Sequence, residues 1–186
     1  MMTINDLKGR TYTADDFVFF WGHTDRTAGK GGAIGRECLS QWYMAPMMAD
    51  GLYYNCMEQY LMAAKARVFG DRLTEERIMA SYSQMEIKKL GRQVSGYDDA
   101  VWSGMRQRVS VDGNICKFGQ NPRLMDFLLS TGDRIIAEAS PKDSIWGIGL
   151  DASHPDSVVP GQWQGLNLLG FALMEVRDYL RRTCSS

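Results

Sequence analysis

The chain has 186 residues, of which 45% are hydrophobic and 23% are charged, and its formal net charge is −1. A chain of this length can form one domain with a substantial core, whereas two domains would each be small. The near-zero net charge excludes a global basic field that would attract nucleic acid or an anionic membrane, so any contact of that kind has to be local.

Cysteine and histidine usage limits the metal chemistry and the compartment. The four cysteines are far apart and include no C-x-x-C pair; they are Cys38, Cys56, Cys116 and Cys184. This pattern argues against a zinc site and against a disulfide framework, and it is typical of reduced thiols in the cytoplasm, where we expect the protein. The chain has only two histidines, and we assign no metal ligand and no cofactor. No segment is apolar for about 18 residues, so a membrane span is not expected.

The first sixteen residues are polar, and we expect a poorly ordered lead-in (residues 1–16) before a single folded domain at residues 17–182. Residues 17–21 (FVFFW) are rich in aromatic side chains and predict a short strand. Residues 23–36 are rich in glycine and charge and predict a loop, whose length is typical of functional or mobile loops. This loop does not match a phosphate-binding P-loop, because Gly-Gly follows its Gly-Lys pair where Ser or Thr is required.

A short strand and a turn at Asp50-Gly51 are expected to lead into a central helix at residues 55–70 (NCMEQYLMAAKARVFG). Asn55 is the expected N-cap, which puts Glu58 at the third helical position, where its carboxylate can reach back in a capping box. Glu58 and Lys65 project in nearly the same direction, about 10 Å apart along the helix. This carboxylate and amine could flank a small substrate; the alternative is a capping glutamate with a solvated lysine.

Residues 74–94 predict a helix that Ser81-Tyr82-Ser83 can break in two. It ends in a basic cluster at residues 88–92. Lys89 and Arg92 could bind a phosphate group there, although a solvated helix end, where cations suit the helix dipole, explains the cluster equally well.

Three more helices are expected in the second half of the chain. They cover residues 99–117 with an interruption near residues 112–114, residues 122–130, and residues 165–182. Asp143-Ser144-Ile145-Trp146-Gly147-Ile148-Gly149 precedes the last helix, and its glycines allow the backbone to approach a ligand or another chain segment closely. The predicted fold class is therefore mainly α, with a few short strands.

Eleven short motifs occur in a recognisable order along the chain. They are Glu58-Gln59-Tyr60, Lys65-Ala66, Phe69-Gly70-Asp71, Lys89-Leu90-Gly91-Arg92, Trp102, Lys117-Phe118-x-Gln120-Asn121, Leu128-Leu129-x-Thr131-Gly132, Glu138-Ala139-Ser140, Asp143-x-x-Trp146-Gly147-x-Gly149, Trp163-x-Gly165-x-Asn167-x-Leu169-Gly170 and Leu173-Met174-x-Val176-Arg177. In this order they resemble the YbiA-like or NADAR family over roughly residues 17–180. Each motif is weak alone, but independent chance matches multiply. Two departures are a longer glycine-rich loop at residues 27–35 and Asp112-Gly113-Asn114 where the family pattern leads us to expect an unbroken helix.

The resemblance implies a YbiA-like single-domain helical fold and hydrolysis of N-glycosidic bonds. It also implies two substrate classes, the ribosylamino-pyrimidine phosphates of early riboflavin synthesis and ADP-ribose attached to guanine in nucleic acid. The expected partner is a phosphorylated riboside or an ADP-ribose ligand, with ADP-ribosylated DNA or RNA as the macromolecular alternative and no membrane. A non-catalytic module that binds NAD or ADP-ribose is the competing function.

Cleavage of a C1′–N bond builds positive charge on the ribose, which a carboxylate beneath C1′ stabilises. We therefore expect Glu58 to be the charge-stabilising or base carboxylate, and Asp143 to bind ribose hydroxyls or to activate water. Lys65 has two alternative roles. It binds the phosphate or orients Glu58, or its amine attacks C1′ of the opened sugar and forms a Schiff base.

The remaining candidates would bind substrate. Trp102 and Trp146 are expected to stack on the base or to pack beneath the sugar, with core packing as the alternative. Gly147, next to Trp146 in sequence, is also a candidate substrate-binding residue. Asn167 either caps the last helix or contacts ribose. Residues 117–122 are assigned a structural role at a helix entry.

Overall fold

The computed structural model describes residues 2–23 and 34–184. In chain order, the helices and strands are α1 (Ile4–Leu7), β1 (Phe17–Phe20), β2 (Met44–Ala49), β3 (Leu52–Cys56), α2 (Met57–Val68), α3 (Arg72–Met79), α4 (Gln84–Gly91), α5 (Asp99–Gly119), α6 (Pro122–Ser130), β4 (Ile135–Glu138) and α7 (Leu168–Cys184). Of the described residues, 54% are helical, so the predicted mainly α fold class is confirmed. Most of the predicted glycine-rich loop at residues 27–35 lies outside the described residues. Among the helices of the described segments, none is both long enough and apolar enough to cross a membrane.

Packing divides the chain into two compact units. The central unit is Gln41–Asn121, and the flanking unit combines Met1–Ser40 with Pro122–Ser186. The single domain expected at residues 17–182 stays a prediction, because this division describes packing and not independent folding.

The central unit opens with a hairpin in which β2 pairs antiparallel with β3 and Met48 is opposite Tyr53. Asp50 and Gly51 form its turn with φ angles of 52° and 77°, which Asp and Gly adopt more readily than most residues. The predicted strand and turn before the central helix are therefore confirmed.

α2 lies at the centre of this unit and packs against α3, α4 and α5. α5 runs unbroken through residues 112–114, where the sequence predicted an interruption. That prediction was wrong because Gly113 serves packing and does not end the helix. A Cβ at this position would lie 2.5 Å from Cδ1 of Tyr60, so only glycine lets α5 approach α2 this closely.

The predicted helix at residues 74–94 is two helices, as the expected break at Ser81-Tyr82-Ser83 requires. α3 begins before Thr74, because the carboxylate of Asp71 accepts the Thr74 N–H at 3.0 Å and caps the helix. The Asp71 cap and the break give α3 and α4 separate axes on which to pack against α2.

In the flanking unit, β1 and β4 pair in parallel, with Phe17 opposite Ile135 and Phe20 opposite Glu138. The predicted strand at residues 17–21 is thus confirmed. α7 packs on β4 and on α6. Within the predicted lead-in, α1 forms one helical turn whose Leu7 is buried.

Arg177 joins α7 to the turn that follows α6. It is 4% exposed, and its Nη1 donates to Thr131 Oγ1 at 2.9 Å and to the Arg134 carbonyl at 2.8 Å. Burial lowers the pKa of this guanidinium. The Thr131 and Arg177 motifs of the sequence therefore serve the fold of this unit.

Candidate active site

Glu58 is the second residue of α2 and is 5% exposed. The predicted capping box at Asn55 is wrong, because hairpin pairing extends β3 to Cys56, which becomes the N-cap. The Asn55 N–H instead donates to Gln59 Oε1 at 2.7 Å. The Glu58 backbone N–H donates to the Gln41 carbonyl at 2.9 Å. Glu58 therefore brings a buried carboxylate to the start of α2.

Lys65 lies two turns further along α2 and is half-buried. Its Nζ donates to the carbonyl of Gly91 at 2.8 Å and lies 4.1 Å from the centroid of the Tyr97 ring. Burial lowers the pKa of Lys65, against the opposing charge of Asp99. A lowered pKa raises the fraction of neutral amine, which is the nucleophilic form.

The close approach of α4 to α2 depends on Gly91, because a Cβ there would lie 2.0 Å from the sulfur of Met62. Lys89 and Arg92, the predicted phosphate ligands, flank this glycine and are exposed. The Nζ of Lys89 lies 3.8 Å from Glu86 Oε2, and exposed pairs of this kind contribute little to stability. The basic end of α4 is thus a solvent-facing cluster beside the carbonyl that Lys65 binds.

Trp102 lies in the first turn of α5 and is 5% exposed. This turn is fixed by Asp98, whose carboxylate accepts the Val101 N–H at 2.9 Å. Only a small part of the Trp102 surface is therefore open to a ligand.

Asp143 organises the turn that follows β4. Its Oδ1 accepts the N–H of Ile145 at 2.9 Å and the N–H of Trp146 at 2.8 Å. The carboxylate thereby fixes the backbone from which the Trp146 side chain projects.

The loop after Asp143 is closed by backbone contacts at glycines. A Cβ at Gly147 would lie 2.8 Å from the Glu138 carbonyl oxygen, and one at Gly165 would lie 2.3 Å from the Gly147 carbonyl oxygen. The Asn167 N–H donates to the same Gly147 carbonyl at 2.9 Å. The sequence left open whether the Trp-Gly-x-Gly glycines approach a ligand or another chain segment. In the structure they make close contact with another chain segment.

Asn167 is fully buried and has a φ of 51°. Its Nδ2 donates to the Ile136 carbonyl at 2.9 Å, and its Oδ1 accepts the Glu138 N–H at 3.1 Å. Its backbone carbonyl accepts the Phe171 N–H at 3.1 Å and so helps to start α7. Both ends of the amide are bonded to β4, so Asn167 fixes β4 to the beginning of α7.

The predicted site residues fall into two groups. One group meets in the loops after β4 of the flanking unit: Asp143, Trp146, Gly147 and Asn167. The other is distributed over α2, the end of α4 and the start of α5 in the central unit: Glu58, Lys65, Lys89, Arg92 and Trp102.

Sequence reasoning overlooked two residues with functional potential. Glu138 ends β4, and ligands of sheets with parallel strands commonly bind at the carboxyl ends of those strands. Lys117, which the sequence analysis placed in a structural segment, is fully buried in α5, whereas lysine is almost never fully buried unless it is paired. Their signals were the Glu138-Ala139-Ser140 and Lys117-Phe118-x-Gln120-Asn121 motifs.

Comparisons with known proteins agree with the predicted resemblance. The model of the NADAR domain family matches residues 19–181. N-glycosidase R617 of Acanthamoeba polyphaga mimivirus is 39% identical over 169 residues, which cover 88% of this chain and 96% of that protein. N-glycosidase YbiA of Escherichia coli (strain K12) is 30% identical over 135 residues, which cover 73% and 76%. The NMR structure of E. coli YbiA has the same fold, with a TM-score of 0.73 at 24% identity, over 100% of this chain and 96% of that chain.

Proposed function

The chain belongs to the NADAR domain family, and on this premise we propose that it hydrolyses the C1′–N bond of a phosphorylated riboside. Several relatives carry the name N-glycosidase, and this chain is accordingly an enzyme that acts on N-glycosyl bonds. The observation that carries the proposal is the Glu58 carboxylate, which is buried at the start of α2. A negative charge stabilises an oxocarbenium ion more strongly in a buried site, because the effective dielectric is lower there.

In this proposal, Glu58 lies beneath C1′ and stabilises the developing positive charge or acts as a base toward water. Asp143 binds ribose hydroxyls or activates the water. Its Oδ1 already holds the turn, so Oδ2 is the oxygen that we assign to the substrate.

Lys65 is assigned a direct part. Its amine attacks C1′ of the ring-opened sugar, the base leaves with a proton, and water then hydrolyses the Schiff base to free the sugar phosphate. Burial, which lowers the pKa of Lys65, supports this role. The alternative is that Lys65 binds the phosphate or orients Glu58. Borohydride trapping during turnover separates the two, since a mass adduct on Lys65 forms only in the covalent mechanism.

The other candidates bind substrate. Trp102 and Trp146 are assigned to the base and the sugar, and Lys89 and Arg92 to the phosphate. The exposure of both cations supports the phosphate assignment. Asn167 takes part indirectly, by fixing the loop beside Trp146.

Of the two substrate classes, the near-neutral net charge favours the ribosylamino-pyrimidine phosphate of riboflavin synthesis, because nucleic-acid binders usually carry basic patches. ADP-ribose on guanine in DNA or RNA is the alternative, since an ADP-ribose group needs few contacts to the nucleic-acid backbone. A cytoplasmic location belongs to the proposal, and the buried free thiols of Cys38 and Cys56 support it.

The test compares the wild type with Glu58→Gln on each substrate, and mass spectrometry follows the release of free base. We expect the wild type to cleave one substrate and Glu58→Gln to be slower by at least about 100-fold. Glu76→Gln, which changes an exposed glutamate of α3, is the matched control and should cleave like the wild type. If the wild type cleaves neither substrate yet binds ADP-ribose in calorimetry, the non-catalytic NAD or ADP-ribose-binding module is favoured instead.

A further inference from the structure

A second buried charge lies in the central unit, on the helix that packs against the start of α2. Lys117 is 0% exposed. Its Nζ lies 5.0 Å from the centroid of the Phe118 ring and 5.9 Å from that of the Tyr43 ring. Aromatic rings exclude water around the amine, so its charge acts on its neighbours through a low effective dielectric.

Packing brings the face of α5 that carries Lys117 toward the start of α2. A Cβ at Gly113 would lie 2.5 Å from Tyr60 and 2.8 Å from Met57, so this face of α5 touches the first turn of α2. Lys117 follows Gly113 by four residues and therefore lies on the same face, one turn further on. Met57 immediately precedes Glu58 in α2.

The thiol of Cys56 is influenced by the charges of both Glu58 and Lys117. Burial raises the pKa of its thiol, the negative charge of Glu58 raises it further, and the positive charge of Lys117 lowers it. The carboxylate and the ammonium thus act on the same buried atom at the N-cap of α2.

Two buried side-chain oxygens near the start of α2 and the Lys117 face of α5 have no hydrogen-bond donor among residues 2–23 and 34–184. They are Gln41 Oε1 and Asn114 Oδ1. The backbone carbonyl of Gln41 accepts the Glu58 N–H, and Asn114 precedes Lys117 by one turn of α5. Buried acceptors usually have partners, and hydroxyl or amine groups of a ligand would supply them here.

We propose that Lys117 is a positioning residue of the active site, whose buried ammonium keeps the Glu58 carboxylate ionised and oriented toward the substrate. The catalytic consequence rests on the proposed function, whereas the interaction between the two side chains does not. Burial alone favours the neutral form of a carboxyl group, and a nearby cation reverses that preference. Glu58 thereby retains the charge that an oxocarbenium ion requires.

Other charges around α2 are engaged elsewhere. They are Lys65 with the end of α4, Arg67 with Glu75 of α3, and Asp112 with Arg108 on α5. Among the described residues, the Cys56 thiol adjoins the start of α2, and the Tyr43 ring lies 5.9 Å from Nζ of Lys117. Thiols and phenols are ordinarily neutral below about pH 7. Comparison of Glu58 titration in the wild type and in Lys117→Met therefore isolates the contribution of Lys117.

The first test needs no substrate. NMR of protein labelled with carboxyl-13C glutamate identifies the Glu58 signal by its absence in Glu58→Gln, and titration gives its midpoint. We expect the midpoint to rise by about 1 pH unit or more in Lys117→Met, and to stay unchanged in Lys117→Arg and in the surface control Lys88→Met. An unchanged midpoint in a folded Lys117→Met protein would overturn the inference.

If Lys117→Met does not fold, the wild type decides alone. Its Glu58 midpoint should lie at or below about 4.3, the value of an unperturbed glutamate, whereas a buried carboxylate without a cation would protonate at higher pH. A Glu58 midpoint clearly above that reference value contradicts the proposal.

The second test measures hydrolysis against pH. The acid limb of kcat/KM should move to higher pH in Lys117→Met by the same shift as the NMR midpoint, and Lys88→Met should leave the limb in place. A lower rate at every pH with an unmoved limb would show a purely structural lysine. If the wild type hydrolyses neither substrate, the proposed function fails, and the NMR titrations still decide the inference.

Discussion

The two units of the chain prepare their candidate site residues in opposite ways. In the central unit, charged side chains are buried on helices, with Glu58 5% and Lys117 0% exposed. In the flanking unit, backbone contacts shape the loops, because Gly165 lies against Gly147 and Asn167 is bonded to β4. The central unit therefore contributes buried charges, and the flanking unit contributes loops whose shape is set by backbone contacts. Removing a charge from the central unit should alter chemistry more than stability, whereas one added carbon in the flanking loops should alter stability first.

Gly165→Ala should disturb the flanking unit most, with a loss of about 3 kcal/mol in the free energy of unfolding. The added Cβ would lie 2.3 Å from the Gly147 carbonyl oxygen and 2.9 Å from the Gly149 nitrogen, and backbone atoms cannot rotate away. Urea unfolding followed by tryptophan fluorescence measures the loss. Gly161→Ala is the control in the same unit, because its Cβ would meet nothing within 4 Å. Equal losses for both variants would contradict the close packing of these loops.

Asp143→Ala should cost about 1–2 kcal/mol, because the N–H groups of Ile145 and Trp146 lose their acceptor. Asp143→Asn keeps an oxygen in that place and should unfold at nearly the wild-type urea concentration. Hydrolysis assays of Asp143→Asn then separate the structural role of Asp143 in the turn from its role in catalysis. Full activity of the asparagine variant would mean that Asp143 acts only on the loop.

Gly91→Ala should be milder, at about 1 kcal/mol. Its Cβ would lie 2.0 Å from the Met62 sulfur, but this thioether ends a flexible side chain and can move. The added Met62→Ala change should relieve the clash, so a double-mutant cycle should give a coupling energy of at least about 0.5 kcal/mol. Additive effects of the two substitutions would rule out the contact between α4 and α2 at this point.

The smallest effect is expected in acid, at Asp71. Its carboxylate accepts N–H groups of Ser95 and Thr74, which lowers the pKa of Asp71 to about 2. Because the pKa is depressed in the folded state, the stabilisation is present above the ordinary value of about 3.8 and is lost as the pH falls toward 2. Urea unfolding between those values should show a shallower loss for Asp71→Asn than for the wild type. Identical slopes would mean that these bonds do not distinguish the folded from the unfolded state.

Elements governed by local signals could be predicted from the sequence. α6 lies at Pro122–Ser130 as expected, because proline suits the first turn of a helix. The errors arose where distant contacts decide. Gly113 is typical of a helix interruption, yet it is the point where α5 meets Tyr60. Asn55 is a good cap residue, yet hairpin pairing keeps it in β3.

The candidate site could be predicted in its residue types but not in its environments. Ordered motifs singled out Glu58 and Asp143, and their assigned roles stay predictions. Burial of Lys117 could not be foreseen, since it results from packing among α5, the Phe118 ring and the Tyr43 ring rather than from any local pattern. The two amide bonds of Asn167 to β4 likewise join segments that are far apart in sequence.

The parallel pairing of β1 with β4 has a consequence for biosynthesis. The whole central unit lies between these strands in sequence, so β1 leaves the ribosome long before its partner exists. The central unit is contiguous and dominated by neighbouring helices, and local contacts form early. In nascent chains stalled before β4 emerges from the ribosome, the central unit should already be resistant to protease. We therefore expect assembly to proceed from the middle of the chain outward, with β1 lacking its partner strand until β4 has been synthesised.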